Sequence, residues 1–259
     1  MLRIDQYAYI NHLSHVNPSE KMILSLGMLL FSLIVSDKLV SLITFFVMSA
    51  FILFLAKIPW RYYVKLLMLP LFFLITSLVS ILLSFSTSGD LPATVWEVQV
   101  GTVFVFITKS SVAIATHLFF VVLGSLSCLY FLMLTTSIQA ICSVLRKCRF
   151  PVLFIELVEL IYRFIFLFLA TMHKIYIAQQ SRLGYHSKRQ WLRSTGMLIT
   201  SMFVDVLARS KQMEAAMLSR GGELVYWDVN QPRSVRNGVG IACIFIVVGI
   251  IYVFFGGEI

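Results

Sequence analysis

Charge is scarce in this chain and negative charge scarcest: of 259 residues only 12 are Asp or Glu, against 21 Lys or Arg. With 13% charged and 59% hydrophobic residues, and a mean hydropathy of +0.90, the sequence lacks the polar surface that an ordinary soluble domain needs. Enzyme signatures are missing too. No GxxxxGK[ST] loop is present to cradle a nucleotide's phosphates, which leaves ATP hydrolysis by this chain alone without support. HExxH, GxSxG and paired carboxylates in a plausible pocket are also absent, so no catalysis is expected. The four cysteines (Cys128, Cys142, Cys148 and Cys243) form no CxxC pair and no even ladder, which points to reduced thiols. The polar, mixed-charge segment Met1–Glu20 lacks a basic start followed at once by an apolar core. A cleavable signal peptide is therefore not expected, and insertion would rely on the spans themselves.

The histidines offer little to a metal. His12 and His15 stand beside Asn11 and Asn17 with no supporting cysteine or carboxylate cluster, and His173 and His186 are scattered. Polar packing or simple exposure is the expectation for each, with no metal site and no cofactor. His117, alone in an apolar run, carries the most functional interest, because ionisable groups inside membrane spans often have a role.

Long apolar runs are what the chain has in abundance. A hydrocarbon core of roughly 30 Å needs about 20 apolar residues in a helix. Leu39–Ala56, Leu66–Gly89 and Asn237–Gly257 contain no Asp, Glu, Lys or Arg, nor does Ser110–Leu145, and Met22–Ser36 is a shorter apolar segment. This pattern predicts an all-α, polytopic helical membrane protein with about five transmembrane helices and a set of long cytoplasmic helices. Three domains follow: four spans in residues 1–134, a cytoplasmic helical region in 135–236, and a C-terminal span in 237–259.

Charge asymmetry supplies the orientation. Residues 135–236 hold 14 of the 21 Lys and Arg but 6 of the 12 Asp and Glu, and loops rich in Lys and Arg stay in the cytoplasm. Lys57, Arg61 and Lys65 mark one cytoplasmic loop beside Trp60. Ser86–Val100 holds Asp90 and Glu97 but no Lys or Arg, and reads as an external loop with Trp96 at its interface. The N-terminus is then inside and the C-terminus outside, in the plasma (inner) membrane. Lys188, Arg189 and Arg193, like the Lys57 loop, are read as topology signals and lipid-headgroup contacts, not as a nucleic-acid surface.

Three cytoplasmic helices are expected. The first covers about Thr136–Lys147 and is closed by Pro151; the second runs from there towards Arg182, along or just under the membrane face, with a sixth span over its apolar middle, Tyr162 to Met172, as the alternative; the third spans about Ser194–Ser219. Glu159 with Arg163, and Asp205 with Arg209, have the i,i+4 spacing that favours ion pairs. Ile199, Met202, Phe203, Val206, Met213 and Met217 recur at helical spacing on one side of the third helix. The methionines suit an interface that repacks, or an ordinary core.

Both long helices end alike, at Ser181-Arg182-Leu183-Gly184 and at Ser219-Arg220-Gly221. Glycine tolerates the left-handed conformation that closes a helix, and arginine suits the negative end of its dipole. Two such ends in one polar region point to a paired docking surface for acidic partners, because a guanidinium presents a rigid donor fork to carboxylates.

These tracts carry a family resemblance that covers nearly the whole chain. Ile4-Asp5-Gln6-Tyr7-Ala8, then His15-Val16-Asn17-Pro18-Ser19-Glu20-Lys21, then Ile177–Tyr185 and Arg209–Gly221, in this order and spacing, resemble the transmembrane T component of energy-coupling factor (ECF) transporters, the EcfT/CbiQ family, in its cobalt branch. The resemblance implies a non-catalytic coupling subunit of an ABC importer, serving cobalt(II) uptake for cobalamin biosynthesis. Ser181, Arg182 and Leu183, with Ser219, Arg220 and Gly221, would dock on two ATPase subunits (CbiO- or EcfA-like) that hydrolyse the ATP. A substrate-binding S component (CbiM-like, with or without a small CbiN-like subunit) would be the other partner, all within a lipid bilayer and with no nucleic acid. The family motif is often Ala-Arg-Gly, and the first tract departs from it on both sides of the arginine. Nickel or vitamin systems remain alternatives within the resemblance. Outside it stand a self-contained secondary transporter, which would need broken or charged helices at mid-membrane, and a membrane anchor without transport, which would not need two matched arginine ends.

Overall fold

The computed structural model describes residues 3–13, 16–86, 94–100, 103–219 and 221. His15, Arg220 and the run Asn237–Gly257, with its expected C-terminal span and Cys243, lie outside the described residues. Eight α-helices follow in chain order among those residues: α1 Arg3–Ile10, α2 Pro18–Val35, α3 Lys38–Ala50, α4 Trp60–Leu82, α5 Lys109–Thr135, α6 Ile138–Lys147, α7 Val152–Ser181 and α8 Lys188–Leu218. Four are long and apolar enough to cross a membrane: α2, α3 with its continuation to Leu55, α4 and α5. The chain is an all-α polytopic membrane protein with one small exception. Between α4 and α5 lie β1 Ser84–Ser86, β2 Thr94–Val100 and β3 Val103–Thr108, an antiparallel sheet in the order β1-β3-β2. Val100 pairs with Val103 across a two-residue connection, and a register irregularity sits between Thr94 and Trp96. The sequence predicts a plain loop over 86–100 and carries the preceding span to Gly89; the helix stops at Leu82 and the β-branched residues Thr94, Val98 and Val100 pair in a strand instead.

Two compact units meet in sequence at Ser137 and Ile138. In the first, packing proceeds without the hydrophobic driving force available in water, because lipid tails are as apolar as leucine. Close approach and polar contacts take its place. Ser25, Ser32, Ser41, Thr44 and Ser127 are almost completely buried. Ser25 Oγ donates to the Cys128 carbonyl at 2.7 Å, and the Ser32 and Ser41 hydroxyls lie 3.1 Å apart. Gly124 of α5 rides so close to α3 that a Cβ there would stand 2.9 Å from the Ser41 carbonyl oxygen. Around these contacts pack Met28, Met48, Ile52, Phe131 and Leu134.

Irregular backbone is compensated from neighbouring helices. Pro70, inside α4, has no N–H to give the Leu66 carbonyl four residues earlier; the Tyr130 hydroxyl on α5 donates to that oxygen at 3.1 Å. Helix α3 widens into a π-helical stretch, Phe51–Leu55, and closes with Lys57 at φ +52°. His117 bonds through Nε2 to the carbonyl of Ser36, the left-handed residue that closes α2. The lone histidine in the apolar run thus ties α5 to the α2–α3 turn.

The second unit is α6 to α8. Helix α6 packs on α7, with Cys142 and Ile155 fully buried. Glu159 pairs with Arg146 of α6 at 3.5 Å, not with Arg163 one turn further along α7 as its spacing predicted. Burial pushes the Cys142 thiol up from its ordinary value; the Glu159 carboxylate adds to this and Arg146 opposes it. The Asp205–Arg209 pair forms at 2.8 Å, as i,i+4 spacing on α8 predicts.

Candidate functional site

The end of α7 is built from the sequence Gln179-Gln180-Ser181-Arg182-Leu183-Gly184-Tyr185. Arg182 is the last half-helical residue, at φ −95° and ψ 18°. Beyond it the Leu183 N–H donates to the Gln180 carbonyl at 3.0 Å, and the Gly184 N–H donates to Gln179 at 2.9 Å. This pair of bonds is the Schellman closure, which requires a left-handed residue just past the cap. That residue is Leu183, at φ +58°. The sequence reading assigned the left-handed position to Gly184. Gly184 serves space instead: a Cβ would meet Ser194 Oγ at 2.7 Å and the Gln179 carbonyl oxygen at 2.9 Å. A leucine in the left-handed region costs about 1 kcal/mol or more relative to glycine. The turn around it is correspondingly well held.

Three contacts hold it. Ser194, the one buried residue of α8 among those described, donates from Oγ to the Gly184 carbonyl at 2.7 Å. The Tyr185 hydroxyl donates to Gln179 Oε1 at 2.6 Å, and the Tyr185 ring lies 4.9 Å from that of Tyr176. The sequence placed Gln179 and Tyr185 in the first tract and Ser194 at the start of the third helix, but gave none of them a part in holding this turn; a serine within a helix shows no period that separates a buried one from an exposed one.

The second tract is the same device, as far as it is described. Ser219 closes α8, donating from Oγ to the Ala216 carbonyl at 2.9 Å, as Ser181 does to Ala178 at 3.0 Å. Gly221 takes φ +89°, so the residue after each arginine is left-handed. Arg220 itself lies outside the described residues. The two tracts terminate different helices, α7 and α8.

The electrostatic setting is one-sided. From residue 160 to residue 204 there are six Lys or Arg and no Asp or Glu. Arg182 and Leu183 are both exposed, and among the described residues no carboxylate pairs with Arg182. Lys188 and Arg189, placed in a loop by the sequence reading that started the helix near Ser194, occupy the first turn of α8. Cations at a helix N-terminus oppose its dipole, so local helix stability does not account for them. No group of three or more His, Cys, Asp or Glu that could hold a metal ion occurs among the described residues, and His12 is exposed.

Residues 10–233 match the family described as Cobalt transport protein, CbiQ. The chain belongs to the CbiQ family. Relatives include a cobalt transport protein CbiQ of Salmonella typhimurium, 27% identical over 84% of this chain and 95% of that protein. An uncharacterized protein of Methanocaldococcus jannaschii is 31% identical, covering 84% and 79% of the two chains. A putative fused cobalt transport protein CbiMQ of Methanocorpusculum labreanum is 35% identical over 65% of this chain, which spans 28% of that longer protein. Membership makes this CbiQ chain a component of a membrane transport system rather than an enzyme, which agrees with its apolar spans.

Proposed function

We propose that this CbiQ-family chain is the coupling subunit of an ECF-type importer, passing ATP-driven motion from two ATPase subunits to a substrate-binding membrane subunit. The observation that carries the reading is the matched pair of helix ends: a serine turned back on its own helix, an arginine, then a left-handed residue. Each closure makes a rigid terminus. At the first, the arginine and an exposed Leu183 are offered to a partner rather than consumed by the chain's own contacts. Ser181, Arg182 and Leu183 would fill a groove on one ATPase, and Ser219, Arg220 and Gly221 a groove on the other. The acid-free stretch around the first tract suits an acidic groove.

The remaining parts follow on the same reading. Residues 1–134 and 237–259 sit in the inner membrane and 135–236 in the cytoplasm, the side that its Lys and Arg excess favours. The substrate subunit is CbiM-like, a partner supported by the name of the fused relative. Cobalt(II) is the cargo, supported by the family; this chain holds it nowhere and hydrolyses no ATP. Helix α7 displays an exposed apolar row, with Leu157, Ile161, Ile165, Leu169, Met172 and Tyr176 at three- and four-residue spacing. A row of that length calls for lipid or protein cover.

Co-purification tests the reading. Wild-type chain expressed with its neighbouring genes should retain an ATPase, and the double variant Arg182→Ala, Arg220→Ala should lose both the ATPase and cobalt(II) uptake while still inserting into the membrane. Normal uptake by the double variant, or transport by the purified chain alone in liposomes, would overturn it in favour of a self-contained carrier.

A further inference from the structure

The last turn of α5 ends in the buried interior of its unit: Leu134, Thr135 and Thr136 are 0%, 1% and 4% exposed. Helix ends leave carbonyl oxygens without intrahelical donors, and away from water each must find one. Two are met from far away in sequence. Asn11 Nδ2 donates to the Leu134 carbonyl at 3.1 Å, and Lys21 Nζ donates to the Thr135 carbonyl at 2.9 Å. Asn11 follows α1, where its side chain also bonds the Tyr7 and Ala8 carbonyls at 3.0 Å, and Lys21 lies in the first turn of α2. Both side chains are nine-tenths buried or more, at 6% and 5% exposure.

The neutral amide of Asn11 shows that capping here does not require charge. A buried ammonium is costly unless its surroundings compensate it, and the carbonyl end of a helix is one place that does. Such a contact is close to all-or-none, since an ammonium pulled off its acceptor is left uncompensated. It sits three residues before Ile138, where the chain enters the unit that carries Arg182.

We infer that Lys21, assisted by Asn11, is a positioning residue for transport: it locks the end of α5 so that motion of the α6–α8 unit reaches the membrane helices instead of being absorbed by the backbone at Thr136 and Ser137. The inference rests on the coupling reading above.

The test uses the reconstituted complex of this chain with its ATPases and substrate subunit, measuring complex recovery, ATP hydrolysis and cobalt(II) taken up per ATP. Lys21→Met should leave recovery and hydrolysis unchanged and lower uptake per ATP about tenfold, the factor one charge-assisted hydrogen bond is worth. Lys21→Arg, which keeps charge and donors, should restore most of it, and Asn11→Ala should show a smaller loss of the same kind. Uptake per ATP equal to wild type in Lys21→Met would overturn the inference. So would a loss of uptake that only follows loss of assembled complex, the mark of a plain structural cap. Should Lys21→Met fail to insert into the membrane at all, the same two outcomes are read on Asn11→Ala. A wild-type chain that captures no ATPase would bring down the coupling reading itself, before any Lys21 variant is made.

Discussion

Helices α5 and α8 are of similar length, 27 and 31 residues, yet α5 buries seven residues and α8 buries only Ser194. The difference is not one of apolar content alone, since α8 shows Leu192, Ile199, Phe203, Val204 and Leu207 on its exposed side. Helix α5 is held by neighbours at every level: Gly124 against Ser41, Ser25 on Cys128, Tyr130 on Leu66, and Asn11 and Lys21 on its final carbonyls. Helix α8 is anchored near its start, through Ser194, and otherwise stabilised within itself, as by Asp205 and Arg209. A helix of the first kind has completed its contacts. One of the second kind leaves its apolar side uncovered by this chain's described residues.

The same substitution on both helices would break this contrast most sharply. Gly124→Ala forces a methyl against the Ser41 backbone and should cost roughly 1–3 kcal/mol, as overpacking does. Gly184→Ala meets a backbone oxygen at the same 2.9 Å and, at 2.7 Å, the buried Ser194 hydroxyl that holds the turn, and should cost about as much. Gly196→Ala on α8 meets nothing within 4 Å and should gain up to about 1 kcal/mol from helix propensity. Melting of the detergent-solubilised variants should follow that order; equal effects at 124 and 196 would mean that the two helices are not differently packed.

Leu183→Gly sharpens the comparison between the two arginine ends, by giving the first the residue that the second has. Relief of the left-handed backbone should raise stability by about 1 kcal/mol. Loss of the exposed leucine should at the same time weaken ATPase capture. A variant that is destabilised, or that binds the ATPase better than wild type, contradicts the account of this turn.

Thiol labelling gives the smallest effect. With Cys243 replaced by serine, exposed Cys148 should react with a maleimide about an order of magnitude faster than Cys142, which is buried and whose raised pKa keeps it protonated. Raising the pH should speed Cys142, because more of it becomes thiolate. Equal rates at neutral pH would show that α6 does not pack on α7 as described.

Much of the local geometry of the candidate site was legible because its signals are local. A serine, an arginine and a glycine at a helix end need only neighbouring residues to be read, and the Asp205–Arg209 pair needs only the 3.6-residue period. The Leu183–Gly184 turn was misread because both residues stand where a helix closes. The crowding from Ser194, ten residues on, together with the Gln179 carbonyl, shows why the glycine belongs second. Glu159 was misassigned for a related reason: Arg163 was near in sequence and Arg146 nearer in space.

By itself the sequence determined that this is a multi-span helical membrane protein, roughly where its long helices lie, and that an arginine follows two of them; apolar runs and helix periodicity are properties of contiguous residues. The tertiary structure alone decided which groups meet across helices: Tyr130 at the carbonyl freed by Pro70, His117 at Ser36, Asn11 and Lys21 at the end of α5. Those meetings depend on the register between helices far apart in the chain. In an apolar surrounding each orphaned carbonyl must find whichever donor that register brings to it.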